Sequence, residues 1–147
     1  MDKLFCVNAV ILDGDKVLLC KKKRMGSEYW VLPGGSINQG ESVTNACARE
    51  AKEETGYAVA IEKLLYLRQG FDVLKKTRRF EVYFLCRTIG GNLSVDDSEG
   101  EIAEAKWVSI DSLDGYKLFP EGLRDVLPTD FANSFSKNPK DLGNDEY

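Results

Sequence analysis

The sequence predicts an α/β fold in a single domain, and three observations support this prediction. The chain has 147 residues, which is an ordinary size for one domain with its own core. Short β-rich apolar runs, bounded by glycine or proline, recur between residues 4 and 110, and one helix-like segment at 42–55 interrupts them. The last residues are polar and aperiodic, so we expect a domain over 1–131 and a mobile tail over 132–147.

The first strands are predicted by β-rich runs with turn residues between them. Residues 4–12 and 17–20 flank Asp13-Gly14-Asp15, which indicates a hairpin. A third run, at 29–32, is stopped by Pro33-Gly34-Gly35.

The remaining elements are predicted from the same kinds of pattern, which are β-rich apolar runs for strands and helical spacing for helices. The helix at 42–55 has Glu41 or Ser42 near its start and Gly56 after its last turn. Further strands are expected at 57–68, 80–89 and about 104–110, and short helical turns near 110–113 and 120–127.

The composition excludes several classes of function. The chain has no histidine, which rules out Ser-His-Asp and Cys-His catalysis and histidine-ligated metals. Any catalysis must therefore use carboxylate, lysine, tyrosine or cysteine side chains, or a metal held by oxygen ligands. The formal net charge of −4 argues against stable binding to a nucleic-acid backbone.

Cysteine usage and hydropathy predict a cytoplasmic protein with no membrane association. No apolar run is long enough to cross a bilayer, and the first residues lack a signal-peptide core. The four cysteines, Cys6, Cys20, Cys47 and Cys86, are widely spaced and lie in apolar segments. We expect reduced, buried thiols and no zinc site.

The helix at 42–55 carries carboxylates where an amphipathic helix would carry apolar side chains. At about 100° per residue, Val43, Ala46 and Cys47 form an inward stripe that continues through Glu50 and Glu54, with Glu53 at its margin. These carboxylates repel one another and lie near the negative end of the helix dipole. A divalent cation bound to these carboxylates would make both electrostatic interactions favourable. Carboxylate oxygens are ligands that suit Mg²⁺ or Mn²⁺. The alternative is a solvated acidic face.

The sequence around these carboxylates resembles the Nudix box, G-x5-E-x7-R-E-U-x-E-E-x-G-U, where U is bulky and apolar. All seven fixed residues are present between residues 35 and 57: Gly35, Glu41, Arg49, Glu50, Glu53, Glu54 and Gly56. A chance match at one starting point is on the order of a few per billion. The two U positions depart from the usual pattern, because Ala51 is smaller than the usual Ile, Leu or Val and Tyr57 is aromatic, but both are packing positions.

The resemblance extends over roughly residues 4–127. It includes Trp30-Val-Leu-Pro-Gly-Gly35 before the box and an acidic loop, from Glu99 to Glu104, before Trp107-Val108. The fold that it implies is an α/β/α sandwich around a mixed, curved sheet. It also implies a hydrolase that acts on small nucleotide-type substrates as a monomer or homodimer.

The resemblance assigns the metal to Glu50, Glu53, Glu54 and Gly35, with Mg²⁺ or Mn²⁺ as the cofactor. We expect Arg49 to orient Glu53 rather than to touch substrate. Glu41, Gly34 and Gly56 are expected to support the site, the glycines through tight turns or a helix C-cap. Because a general base often comes from outside the box, Glu101 is the preferred candidate and Glu104 the second. For both, a solvated acidic loop is the alternative.

Substrate contacts outside the box are predicted from residue type and position. Arg24, Arg68 and Arg79 could bind phosphates, and Tyr29, Phe71 or Tyr83 could stack on a base. Some relatives with known substrates carry a proline or a tyrosine fifteen to eighteen residues past the box. This chain has Asp72-Val-Leu-Lys75 there, so neither marker is present.

The leading interpretation is hydrolysis of a diphosphate (P–O–P) linkage, as in a nucleoside triphosphate, a nucleotide sugar or a dinucleotide. A second is a nucleotide-sensing domain without catalysis, which the loss of box glutamates would favour; none is lost. A third is a structural domain with an acidic helix.

Overall fold

The computed structural model describes residues 2–95 and 101–146, and Glu99 of the predicted acidic loop lies outside them. Within these ranges, two helices and a 3-10 turn surround one eight-stranded sheet. The elements are β1 Asp2–Asp13, β2 Lys16–Arg24, β3 Ser27–Val31, β4 Gly34–Ser36, α1 Val43–Thr55, β5 Tyr57–Asp72, β6 Thr77–Gly91, β7 Ile102–Ser109, the 3-10 turn Ile110–Gly115, α2 Leu123–Ala132 and β8 Lys140–Glu146.

The sheet is mixed and runs in the order β3-β2-β1-β6-β5-β8, with β4 paired to β1 and β7 paired to β2. β1 and β6 are parallel along almost their whole length, whereas the β1–β2 hairpin is paired only at Leu12↔Val17 and Asp13↔Lys16. β2 then pairs with β7 and β3, so the edge of β1 is left to β4. This arrangement brings β4, which directly precedes the α1 loop, into the centre of the sheet.

Each face of the sheet is covered by a helix because β1 and β6 place apolar side chains on both faces. Val7 and Ile11 of β1 pack in the same cluster as Ala46, Cys47 and Ala51 of α1. On the opposite face, a second cluster contains Val10, Tyr66, Tyr83, Leu123 and Leu127, with α2 and the 3-10 turn above the sheet. The α/β/α sandwich around a mixed sheet is therefore confirmed.

The strands and helices that local periodicity predicts are present with shifted ends. The helix predicted at 42–55 is α1 at Val43–Thr55, and the turn predicted at 120–127 extends as α2 to Ala132. Two strands have no predicted counterpart. β4 is only three residues long, and β8 lies in the polar C-terminal segment, whose composition does not indicate a strand.

The C-terminal segment differs from the mobile tail that the sequence predicts for 132–147. Phe135 is buried in the second core cluster, and β8 pairs in parallel with β5. The side-chain amide of Asn138 donates to the Leu65 carbonyl at 2.9 Å, which replaces backbone pairing before β8 begins. Specific polar contacts, rather than apolar periodicity, dock this segment.

The four cysteines are free and buried, as the sequence predicts. The sulfur atoms of Cys47 and Cys86 lie 3.8 Å apart beneath α1, and this contact together with burial raises the pKa of Cys86. Within the described ranges, neither helix has the length and apolarity needed to span a bilayer.

Asp130 should contribute strongly to the stability of the C-terminal segment. It is fully buried, accepts a hydrogen bond from the Tyr66 hydroxyl at 2.7 Å and pairs with Lys140. Burial alone would raise its pKa, but the hydrogen bonds from Lys140 and Tyr66 lower it overall. We expect Asp130→Asn to lower the free energy of unfolding by about 2 kcal/mol at pH 7.

Urea unfolding of both proteins measures this difference, with Asp114→Asn as the exposed control. Because the folded pKa of Asp130 is depressed, its contribution is present above the unfolded pKa and lost as pH falls through the folded one. Equal stability of wild type and Asp130→Asn at pH 7 would contradict the assigned contacts.

Candidate active site

The α1 helix has a defined start and end, which fix the direction of its acidic stripe. The Ser42 hydroxyl caps the first turn by accepting from the Asn45 amide at 3.1 Å. Gly56 ends the helix with φ 84° and donates its amide to the Lys52 carbonyl. The interval between these caps carries Arg49, Glu50, Glu53 and Glu54 on the side of the helix that faces β4.

Two glycines of β4 let the backbone approach α1 closely. A Cβ atom on Gly35 would lie 2.6 Å from the Glu50 carboxylate carbon, and one on Gly34 would lie 2.2 Å from the Val7 carbonyl oxygen. The Gly34 amide donates to Glu54 Oε1 at 3.2 Å. The missing side chain of Gly35 therefore makes room for the Glu50 carboxylate, and that of Gly34 for the β1 backbone at Val7.

Arg49 is the central cation of this surface. Its Nε and Nη2 donate to the two carboxylate oxygens of Glu41 at 2.8 and 3.0 Å, which is a bidentate pair. Its Nη1 donates to Glu50 at 2.8 Å and more weakly to Glu53 at 3.3 Å. Arg49 was expected to orient Glu53, whereas the shorter contacts hold Glu41 and Glu50.

The Arg49–Glu41 pair also changes the titration of both groups. The hydrogen bond from Arg49 lowers the pKa of Glu41, and the Asn38 amide lowers it further. The same contact raises the pKa of Arg49, so the guanidinium stays charged. Glu41 is therefore an ionised anchor for Arg49 at neutral pH.

The carboxylates and their neighbours line one cavity of about 770 Å³. Its walls include Glu50, Glu53 and Glu54 from α1, Gly34 and Gly35 from β4, and Glu101 from the start of the β7 segment. Among residues 2–95 and 101–146, no three acidic, cysteine or histidine side chains already converge as a metal site. Arg49 Nη1 contacts both the Glu50 and the Glu53 carboxylates, at 2.8 and 3.3 Å.

The donor set nevertheless fits a hard divalent cation. Three carboxylates on one helix side and the backbone next to Gly35 supply only oxygen ligands, which Mg²⁺ and Mn²⁺ prefer. The absence of a Cβ at Gly35 leaves room directly at the Glu50 carboxylate. Residues that could hold the cation are therefore Glu50, Glu53, Glu54 and Gly35.

The two candidates from the acidic loop occupy different positions. Glu101 lines the acidic cavity, and its carboxylate lies 3.9 Å from Lys22 Nζ. Glu104 pairs with Lys21 at 3.6 Å and does not line that cavity. The geometry thus favours Glu101, the first of the two candidates.

A second cavity, of about 390 Å³, adjoins the acidic one. It is within the size range of small-ligand pockets and has a largely apolar wall. The walls that it shares with the acidic cavity are Lys22, Gly34, Gly35 and Arg79. Its remaining lining includes Asn8, Arg24, Tyr29, Val31, Leu32, Glu81, Tyr83, Lys117, Leu118, Phe119 and Pro120.

The predicted substrate residues are only partly brought together. Arg24, Arg79, Tyr29 and Tyr83 line the apolar cavity, although Arg24 also lies 3.8 Å from Asp72 and Tyr83 is almost fully buried. Phe71 lines a separate surface pocket, because it lies near the far end of β5.

Arg68 differs from its predicted role as a phosphate ligand. It is buried, with its guanidinium 5.2 Å from the ring centre of Phe119 and 2.9 Å from a Glu81 carboxylate oxygen. It therefore supports the apolar cavity from below. Sequence reasoning missed Glu81, whose only signal was an acidic residue within the largely apolar run at 80–86.

We expect the Glu41–Arg49 pair to stabilise the fold at neutral pH and to lose this effect in acid. Because the folded pKa of Glu41 is lowered, the stabilisation is present above the unfolded value and disappears as pH falls through the folded value. Urea unfolding should thus show Glu41→Gln less stable than wild type at pH 7. This gap, the difference in free energy of unfolding between the two proteins, should close below about pH 4. Glu62→Gln, in an exposed pair with Arg87, is the control and should show a smaller gap. A gap that widens in acid would contradict this assignment.

Comparison with known proteins agrees with this geometry. Residues 3–129 match the family model described as the NUDIX domain. Nudix hydrolase 7 of Arabidopsis thaliana is 32% identical over 105 residues, which cover 69% of this chain but only 37% of that protein. The ADP-ribose pyrophosphatase of Methanocaldococcus jannaschii is 32% identical over 117 residues, covering 76% and 68% of the two chains.

Solved structures show the same fold. A NUDIX hydrolase from Nitrosomonas europaea superimposes with a TM-score of 0.70 at 25% identity, over 92% of this chain and 90% of the other. The chain spans about a third of the length of the Arabidopsis relative, so that protein's other segments have no counterpart in this comparison. The match over residues 3–129, together with the seven fixed residues of the motif at 35–57, shows that this chain belongs to the Nudix family.

Proposed function

We propose that this protein hydrolyses the P–O–P bridge of a nucleoside diphosphate linked to a further group, with Mg²⁺ or Mn²⁺ as cofactor. The observation that carries the proposal is the junction of an acidic cavity and an apolar one, which share Lys22, Gly34, Gly35 and Arg79. A diphosphate ester has the matching shape, with dense charge at one end and a largely uncharged group at the other. The pyrophosphatase name of the Methanocaldococcus relative supports the same class of bond.

The acidic cavity would receive the diphosphate together with the cation. Glu50, Glu53, Glu54 and the backbone at Gly35 would hold the cation, which neutralises charge on the phosphates and on the attacking oxygen. Arg49 supports these ligands by fixing Glu50 while Glu41 fixes Arg49. The Gly34 amide fixes Glu54 in the same way.

Proton removal from the attacking water is assigned to Glu101. It lines the same cavity as the α1 carboxylates, and its carboxylate lies 3.9 Å from Lys22 Nζ. As the water oxygen bonds to phosphorus, its proton passes to the Glu101 carboxylate and the bridging P–O bond breaks. The electron pair of that bond leaves on the departing phosphate.

The apolar cavity would hold the nucleoside end of the substrate. Tyr29 and Phe119 offer aromatic surface, and Arg24 and Lys117 place positive charge on its wall. We place the protein in the cytoplasm, since its four free thiols are suited to a reducing compartment.

The first test is a turnover panel of nucleoside triphosphates, ADP-ribose, dinucleoside polyphosphates and nucleotide sugars, each with Mg²⁺ or Mn²⁺. Chromatography of the products identifies the bond that breaks. We expect metal-dependent cleavage of at least one compound, and a loss of about 100-fold or more in Glu53→Gln. Glu62→Gln removes a carboxylate outside the acidic cavity and should retain activity.

Two results would overturn the proposal. Tight metal-dependent binding of one compound without turnover would indicate a nucleotide sensor. Equal activity of wild type and Glu53→Gln would place the reaction away from α1.

Gly35→Ala should reduce turnover without unfolding the protein. The added Cβ would meet the Glu50 carboxylate at 2.6 Å and displace it, which we expect to cost about 10- to 100-fold in activity. Gly115→Ala is the matched control, since a Cβ there meets nothing within 4 Å. Circular dichroism reports the fold of both variants. Full activity in Gly35→Ala would show that the close approach of β4 to Glu50 is not needed.

A further inference from the structure

A buried ionic cluster underlies the junction between the two cavities, and its members lie outside the motif at 35–57. Its members are Arg68 on β5 and Arg79, Glu81 and Tyr83 on β6. Arg68 is 2% exposed and Glu81 is 5% exposed, although charged side chains are seldom buried unless they are paired. The cluster therefore has a cost in desolvation that its contacts must offset.

Glu81 contacts each of the other three members of the cluster. One carboxylate oxygen accepts from Arg68 Nη1 at 2.9 Å and from the Tyr83 hydroxyl at 2.6 Å. The other accepts from Arg79 Nε at 3.1 Å. The Tyr83 hydroxyl remains neutral because burial and the charge of Glu81 raise its pKa well above the ordinary value. Two guanidiniums and one carboxylate therefore sum to a charge of +1.

Arg79 carries that excess charge to the place where substrate phosphate would lie. Its side chain is 33% exposed, whereas Arg68 is enclosed. Arg79 lines both cavities, so it stands between the acidic side of α1 and the apolar wall. The Nε contact to Glu81 and a contact of 3.3 Å from Nη2 to Cys6 sulfur restrict how the guanidinium can turn.

We propose that Glu81 is a positioning residue, which holds the Arg79 guanidinium at the junction so that it binds the phosphate next to the nucleoside. Arg68 and Tyr83 fix the Glu81 carboxylate from below, and Phe119 covers Arg68 on the cavity side. This assignment rests on the proposed function. It explains why a carboxylate is buried beside a site that binds an anion: without it, two adjacent guanidiniums would repel and Arg79 would swing away.

A double-mutant cycle tests this assignment. The variants are Glu81→Gln, Arg79→Ala and the double variant, and the readouts are KM and kcat with saturating Mg²⁺. We expect Glu81→Gln to raise KM about 10-fold with kcat within about threefold of wild type, since Arg79 contributes binding rather than chemistry. In the Arg79→Ala background, Glu81→Gln should not raise KM further. Arg78→Ala, a neighbouring arginine outside both cavities, should leave KM unchanged.

The same cycle can be measured by binding, which separates this inference from the proposed function. Calorimetry with Mg²⁺ and α,β-methylene-ADP, whose bridge cannot be hydrolysed, gives a dissociation constant whether or not the protein turns over a substrate. Failure of wild type to cleave any compound would refute the proposed function. The positioning role would be refuted if the two changes multiplied in their effects on the dissociation constant. It would also be refuted if Glu81→Gln left the dissociation constant unchanged.

Tyr83→Phe provides a second route if Glu81→Gln does not fold. It removes only the hydroxyl that donates to Glu81 at 2.6 Å. In the wild-type background we expect Tyr83→Phe to raise the dissociation constant two- to threefold. In the Arg79→Ala background we expect Tyr83→Phe to leave the dissociation constant unchanged. An equal rise in both backgrounds would show that Tyr83 and Glu81 act on the cavity without Arg79.

Discussion

The candidate site depends on the close approach of the β4 backbone to the acidic side of α1. The two strands of the first hairpin separate after two pairs of residues, and this opens the edge of β1 to Gly34 and Gly35. The Gly34 amide then reaches Glu54, and the missing side chain of Gly35 admits the Glu50 carboxylate. Carboxylates that would repel one another on a free helix are thereby held by backbone and by Arg49.

Arg49 and Arg79 show how one chemical group can serve two purposes in this protein. Arg49 is surrounded by Glu41, Glu50 and Glu53, so its charge is used within the protein to fix ligands. Arg79 donates to the buried Glu81 carboxylate, which also accepts from Arg68. The first arginine organises a site for a cation, and the second is proposed to meet the anion that the cation accompanies.

The sequence predicts those parts of the structure that depend on local pattern. The ends of α1 follow from Ser42 and Gly56, and the inward position of Glu54 follows from helical periodicity. β8 could not be predicted, because its docking relies on contacts of Asp130 and Asn138 with Tyr66 and Leu65, which lie 64 and 73 residues earlier in the chain.

The substrate side of the site was predicted less completely for the same reason. Arginine and aromatic residues are chosen by type, but only the sheet register decides which face they occupy. Register places Arg79 at the cavities while Arg68, which pairs with Glu81 across the β5–β6 ladder, is buried beneath them. Phe71 lies outside both cavities.

The central claim is that the acidic side of α1 is a site for a divalent cation. A titration of the protein with Mn²⁺, followed by water-proton relaxation, tests it without any assumption about substrate. The account predicts saturable binding that Mg²⁺ competes away and that Glu50→Gln combined with Glu54→Gln abolishes. Absence of saturable binding up to millimolar Mn²⁺, or binding unaffected by that double change, would contradict the account.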